Sequence, residues 1–257
     1  MLTKRQKILI SSLLLALGLF SIPLIDNHFK IYLTIVVIVA SFFLSVWSIY
    51  GKFSWLDLIN LFVLPTVFTA SFALFLGSFE TSLQLRIIFS LVYIAVMYTI
   101  LLSENIFFVS TERNIPLVRA ARTIGYLATL FVSFAFFTLL FGLRQNIFLF
   151  SAVVFFVSTL LIAQGVWQLN LRDTEVRNQI VSSLVMGLLV AQVALVFGFW
   201  PLDPPKIGLV TASAVYVFLG VLQHQVKDDL TRRSILEYAF ISLMVIILLF
   251  TTSSWGV

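Results

Sequence analysis

The sequence contains no cysteine, and only 11% of its 257 residues are charged. Without cysteine, disulfides, thiolate catalysis and cysteine-based zinc or iron–sulfur sites are excluded. Hydrophobic residues make up 61% of the chain, which leaves too few polar side chains to cover the surface of a water-soluble domain of this length. The composition therefore indicates a membrane protein.

Signatures of catalysis are also missing from the sequence. No G-x-S-x-G, H-E-x-x-H or P-loop pattern occurs. The two histidines, His28 and His224, are predicted on opposite membrane faces, so they cannot share a metal ion. His224 precedes the pair Asp228-Asp229, which we interpret as a solvated loop end and not as a diphosphate-binding metal site. We expect no enzymatic activity, no cofactor and no metal site.

What the chain does contain is nine apolar stretches separated by polar breaks, each close to the 20 residues that cross a bilayer as a helix. The prediction is an all-α polytopic membrane protein with nine transmembrane helices. The predicted spans are 8–25, 29–50, 57–79, 82–102, 122–143, 146–169, 177–200, 207–225 and 235–255. The first stretch begins like a signal peptide but lacks a small-residue cleavage site, so we expect a retained helix.

Positive charge is distributed unevenly between the two sides of these spans. Twelve of the sixteen lysines and arginines fall in breaks on one side. The other side holds only Lys30, Arg86, Arg144 and Lys206. Because Lys and Arg in short loops are retained in the cytoplasm, the prediction is N-terminus inside and C-terminus outside.

The loops are short, which is typical of a bacterial cytoplasmic (inner) membrane protein. None is long enough to form a basic domain, so the net charge of +5 does not indicate a nucleic-acid partner. We expect membrane lipids as partners, with another membrane protein as a second possibility.

Two stretches depart from simple spans. Pro65 lies inside span three, where it frees one carbonyl; Thr66 or Thr69 could supply the replacement hydrogen bond. After span four, apolar and polar residues alternate over 103–118. We interpret 103–118 as an amphipathic segment that lies along the inner headgroups.

A shift of 120 residues lays the second half of the chain on the first without a gap. In this register Trp47 meets Trp167 and Arg86 meets Lys206. The prediction is two parallel four-helix repeats, 29–142 and 149–255, with 1–28 as an additional helix. The alternative is that apolar helices of standard length match one another at many offsets.

Polar side chains inside the predicted spans are scarce. Every acidic residue is expected at or near a span end, so a proton relay of mid-membrane carboxylates is not expected. The candidate intramembrane polar contacts are Asn60, Gln164 and Gln192. They either contact a substrate or form hydrogen bonds between helices that are purely structural.

Arginines on the predicted inner side are the remaining site candidates. They are Arg113, Arg119, Arg122, Arg232 and Arg233, expected to form a collar around Glu104, Glu112 and Glu237. Because Arg matches phosphate with two parallel hydrogen bonds, the collar could hold an anionic lipid or a phosphorylated substrate. The alternative is that these residues only reflect the bias of positive charge towards the cytoplasm.

Two segments carry a family resemblance: Ser103-Glu-Asn-Ile-Phe107, and Ile115-Pro-Leu-Val-Arg-Ala-Ala-Arg-Thr-Ile-Gly125. The chain resembles, mainly over 97–130, a family of uncharacterised multi-pass membrane proteins from uncultivated bacteria. The resemblance implies a bacterial membrane location and assigns no activity and no site residues.

Three functions fit these sequence features to different degrees. Binding or translocation of an apolar or lipidic small molecule fits the polar-poor spans and the cationic collar. The alternative is a non-catalytic membrane subunit or assembly protein, which fits the minimal loops and the lack of ion-coupling acids. A lipid-modifying enzyme is least favoured, because no base, nucleophile or metal ligand set can be assembled.

Overall fold

A computed structural model describes residues 3–49, 51, 55–79, 81–112, 117–143, 146–169 and 176–253. These residues form nine α-helices and one short 3-10 turn, and no strand occurs among them. The helices are α1 (Lys4–Ser21), α2 (Asn27–Ile49), α3 (Trp55–Ser78), α4 (Leu83–Glu112), α5 (Val118–Gly142), α6 (Ile147–Trp167), α7 (Val176–Gly198), α8 (Pro204–Val226) and α9 (Arg232–Thr252). Each is long and apolar enough to cross a membrane. The predicted all-helical fold is therefore confirmed for the described residues, and the chain is a multi-pass membrane protein.

Polar residues in the breaks set where the helices begin. At α1, the Thr3 hydroxyl accepts from the Gln6 backbone N–H and the Gln6 side chain accepts from that of Thr3, which is a capping box. Asn146 caps α6 by accepting from the N–H of Phe148, and Thr231 caps α9 in the same way.

Hydroxyl groups within the spans are largely satisfied by their own helix. Serine and threonine side chains donate to carbonyls three or four residues earlier. Buried examples are Ser12, Ser48, Ser71, Ser133, Ser158 and Thr211. These bonds explain how an apolar bundle accommodates many serines.

Helix α3 continues through Pro65. The proline has no N–H for the carbonyl of Leu61, four residues earlier. The Thr66 hydroxyl donates to the carbonyl of Phe62 at 2.7 Å, and that of Thr69 to the carbonyl of Pro65 at 2.8 Å. The predicted threonine bonds therefore form, but neither replaces the bond that the proline removes.

Helix α4 is longer than the predicted span, which ended at Leu102. Instead of a separate surface segment over 103–118, the described residues continue the helix to Glu112. The hydroxyls of Ser103 and Ser110 donate to helix carbonyls, so these polar side chains are satisfied within the helix and do not end it. Residues 113–116 lie outside the described part.

One compact unit comprises Met1–Ala128, with α1 to α4 and the first part of α5. Within it α1 packs against α2 and α4, and α3 packs against α2 and α4. The centre is aromatic: Phe68 stacks on Tyr93 with ring centroids 5.2 Å apart, and both rings are fully buried.

A second unit comprises Thr129–Val257, with the rest of α5 and helices α6 to α9. Here α6, α7 and α8 pack on one another, and α9 packs on α8. Glycines allow close approach: a Cβ at Gly208 on α8 would lie 2.8 Å from the backbone nitrogen of Thr138 on α5. The unit boundary falls inside α5, whereas the predicted repeats divide after it.

Candidate functional site

The N-terminal half of α9 borders a groove with a volume of about 540 Å³. Its described lining residues all lie on α9: Arg233, Leu236, Glu237, Ala239, Phe240 and Leu243. Helix α9 is open to its surroundings, since only 6% of its most apolar stretch is buried. The groove is therefore accessible from the membrane.

Arg233 and Glu237 form the polar end of the groove. Arg233 Nε lies 3.2 Å from Glu237 Oε1, one helical turn away. Both side chains are well exposed, so this ion pair stabilises the protein little. Arg232 and Arg233 also occupy the first turn of α9, where the helix dipole already places partial positive charge.

Below this polar end, the groove is apolar. Leu236, Phe240 and Leu243 are spaced four and three residues apart, so they form one stripe along α9. All three side chains are more than half exposed. A cationic end above an apolar stripe is complementary to an amphiphile with an anionic head and a hydrocarbon tail.

The other predicted arginines belong to the first unit. Arg119 is exposed and Arg122 is half-buried, both in the first two turns of α5, and Arg113 lies outside the described residues. Of the acids expected to face the collar, Glu237 pairs with Arg233, and the side chain of Glu112 lies outside the described part. The position of Glu104 differs from the one predicted.

Glu104 was expected at an inner span end, but α4 runs for eight residues beyond it, about 12 Å along the helix. Its side chain is fully buried in the first unit. A buried carboxyl in a membrane-spanning helix is costly and therefore informative. The sequence argument missed it because the polar run Ser103-Glu104-Asn105 resembles the end of a span.

The three intramembrane candidates have different environments. Asn60 on α3 and Gln164 on α6 are buried within their units. Gln192 on α7 is exposed, and it has no hydrogen-bond partner among the residues that the structure describes. Asn60 and Gln164 are placed where contacts between helices form, whereas Gln192 faces the surroundings of the protein.

Two further glutamines bind the backbone of α6 beside Gln164. Gln179 on α7 donates its amide to the carbonyl of Ala163 at 2.9 Å, and Gln223 on α8 donates to that of Gly165 at 3.3 Å. Sequence analysis missed both, because each lies near the polar end of its span. A signal was present in the sequence: Gln164, Gln179 and Gln223 lie at a similar predicted depth in spans six, seven and eight.

The end of α8 contains the His224 and Asp228-Asp229 cluster. His224 Nδ1 lies 2.7 Å from Asp229 Oδ1, and Asp228 adopts a left-handed conformation with φ 52°. The backbone N–H of Asp229 donates to the carbonyl of His224. This arrangement is a helix C-terminal turn closed by a side-chain contact. No group of three or more metal-ligating side chains occurs among the described residues.

Comparison with known proteins gives one match. The model of a family described as "Protein of unknown function (DUF5656)" matches residues 10–252, nearly the whole chain. The chain matches no curated protein and no solved structure. The site must therefore be interpreted from its own geometry.

Proposed function

Because the chain belongs to the family described as "Protein of unknown function (DUF5656)", we propose a function from its geometry: it binds a lipidic molecule with an anionic headgroup. The observation that carries the proposal is the groove on α9. It joins Arg233 to the apolar stripe of Leu236, Phe240 and Leu243 in one accessible space of about 540 Å³.

The exposed surface of α9 supports a lipid as the ligand. Its exposed side chains are large and aliphatic or aromatic: Ile235, Leu236, Phe240, Leu243, Met244 and Ile247. Helix pairs in membranes favour small residues, which allow close approach. Gly187 and Gly208, which do allow close approach, already contact other helices within the second unit.

The proposal includes the location and orientation expected from the sequence: a bacterial inner membrane, with the N-terminus in the cytoplasm. In that orientation Arg233 lies at the inner headgroups, where anionic lipids attract basic residues. A reporter fused after Val257 should be active in the periplasm. Activity only in the cytoplasm would contradict this orientation.

The direct test is native mass spectrometry of the full chain released from a mild detergent, with added phosphatidylglycerol. Arg233→Gln should weaken retention of the lipid about tenfold, because one charge-assisted contact is lost. Arg232→Gln is the matched control, since it removes the same charge from the same turn but does not line the groove. Equal retention by both variants and the unchanged protein would reject the groove as the site.

A second candidate function, a membrane subunit, is favoured by Gln192. Its amide is exposed among the apolar residues Leu188 and Val196 on α7. An amide in hydrocarbon gains a hydrogen bond by packing against another helix. Because the chain has no cysteine, Gln192→Cys provides a single crosslinking position. A crosslinked dimer or partner in membranes would support a subunit, and an uncrosslinked monomer would oppose it.

A further inference from the structure

A second, polar pocket lies in the first unit, where α1 and α3 end and α2 and α4 begin. Its volume is about 460 Å³. The described lining residues are Pro23, Lys30, Phe79, Thr81, Ser82 and Arg86. They come from three separate segments of the sequence, so only the fold brings them together. By the charge pattern this is the outer end of the helices.

Arg86 is held in place by two hydrogen bonds from one of its nitrogens. Arg86 Nε donates to the carbonyl of Thr81 at 2.9 Å and lies 3.2 Å from its hydroxyl. Thr81 is itself buried, which makes this anchor rigid. The two terminal nitrogens of the guanidinium have no partner among the described residues. They are available to a ligand in the fork geometry that suits phosphate.

Lys30 provides the second cation of the pocket. It lies in the first turn of α2, where its backbone N–H donates to the carbonyl of Asp26 at 3.2 Å. Its side chain is half-buried, and in the part of the chain that the structure covers its ammonium has no ion-pair partner. Two half-buried cations in one space repel each other, so an anion between them would be stabilising.

The other groups around the pocket define the size and chemistry of the ligand. Ser82 offers a hydroxyl at the start of α4, and Pro23 and Phe79 form an apolar edge. Asp26 is exposed and is not part of the lining, and Glu80 lies outside the described residues. The space exceeds what a single phosphate occupies, so it admits a phosphate that carries a further group.

The four cations on this predicted side differ in what they bind. Lys206 is fully engaged: its Nζ donates to the carbonyl of Thr252 at 2.7 Å and lies 3.3 Å from Asp203 Oδ2. It therefore has a structural role at the helix ends of the second unit. Arg144 is not among the described residues. Among the described residues, Lys30 and Arg86 line one pocket together.

From this geometry we propose that the Lys30–Arg86 pocket is a binding site for a phosphate group. The phosphate belongs either to a phospholipid headgroup at this membrane surface or to a soluble phosphate compound. The site is independent of the α9 groove, because the two lie in different units and share no residue.

The test uses the full chain in a neutral detergent with two probes. Phosphatidylglycerol is compared with a diacylglycerol of the same chains by native mass spectrometry. Inorganic phosphate is compared with chloride at equal ionic strength by thermal unfolding. Lys30→Gln is the main variant. The side chain of Lys30 has no hydrogen-bond partner among the described residues, so folding should be retained.

Lys30→Gln should weaken binding of the effective probe about tenfold, and Lys30→Gln with Arg86→Gln should weaken it further. Lys206→Gln, the matched loss of one outer-side charge, should leave binding unchanged. Loss of phosphatidylglycerol retention identifies a lipid headgroup, and loss of the phosphate-induced rise in Tm identifies a soluble ligand. If Lys30→Gln binds both probes as the unchanged protein does, the proposal is wrong. Arg233→Gln should not affect this site, so its result tests the α9 groove separately.

Discussion

In the first unit aromatic rings form a connected cluster between helices, whereas the closest glycine contacts between described helices lie in the second unit. Phe68 and Phe72 of α3 contact Tyr93 of α4, and Phe42 of α2 contacts Phe62 of α3. In the second unit, Gly187 of α7 lies against Thr159 of α6, Gly165 of α6 against Leu219 of α8, and Gly208 of α8 against Thr138 of α5. Aromatic rings fill the space between two helices, whereas a glycine allows the two backbones to approach more closely.

Despite this difference, one glycine contact in each unit involves helices that are matched by the predicted shift of 120 residues. The end of α3 at Gly77 lies near Thr34 of α2 and Ile22 after α1. The end of α7 at Gly198 lies near Ile147 of α6 and Phe141 of α5. At this contact Phe141 of α5 corresponds to Ile22, which directly follows α1.

This correspondence bears on the predicted repeats. The shift of 120 residues lays α1 on α5 as well as α5 on α9. A division into α1–α4 and α5–α8, with α9 added, therefore fits the contacts as well as the predicted division with α1 added. In that division the helix that borders the lipid groove is the one without a counterpart.

The aromatic centre of the first unit is where we expect the largest effect. Phe68→Ala should lower the free energy of unfolding by about 3–5 kcal/mol, because a fully buried ring leaves a cavity and Tyr93 loses its stacking partner. Reversible unfolding in mixed detergent measures the change. Phe29→Ala, on an exposed phenylalanine of the same unit, should cost far less; equal costs would mean that the ring cluster does not hold the unit together.

The glycine contacts of the second unit should give the next largest effect. Gly208→Ala places a Cβ within 3 Å of the backbone of Thr138, which cannot move aside as a flexible side chain would. We expect a loss of about 1–3 kcal/mol, measured in the same way. Gly142→Ala is the control, since nothing lies within 4 Å of its added Cβ. A neutral Gly208→Ala would show that α5 and α8 do not approach as closely as described.

The contrast between the units also marks what sequence could predict. Span length and polar breaks are local properties, so the number of helices followed from them. The end of α4 could not be predicted from these properties. In the sequence Ser103 and Ser110 resemble a polar break, but in the structure their hydroxyls bond to their own helix. The pocket of Lys30 and Arg86 could not be predicted either. Its residues are distant in sequence and come together only when four helix ends pack against one another.

A single hydrogen bond in the first unit should have a smaller effect than either packing change. The hydroxyls of Tyr93 and Thr69 lie 2.8 Å apart at a buried position. Tyr93→Phe keeps the ring stack and removes this bond, so we expect a loss of about 1 kcal/mol. Tyr98→Phe, on a half-buried tyrosine of the same helix, is the control. A loss as large as that of Phe68→Ala would assign the stability to the polar bond and not to the rings.

The smallest expected effect distinguishes the two kinds of glutamine on α7. Gln179 donates to the carbonyl of Ala163, whereas Gln192 is exposed on the same helix. Gln179→Leu should lower the free energy of unfolding by about 0.6 kcal/mol, the typical value for a hydrogen bond between membrane helices. Gln192→Leu should cause no loss in the monomer, because its amide has no described partner to lose and Leu suits a lipid-facing position. If Gln192→Leu instead destabilises the protein only at high protein-to-detergent ratio, the amide serves a contact between chains, and the subunit function gains over lipid binding.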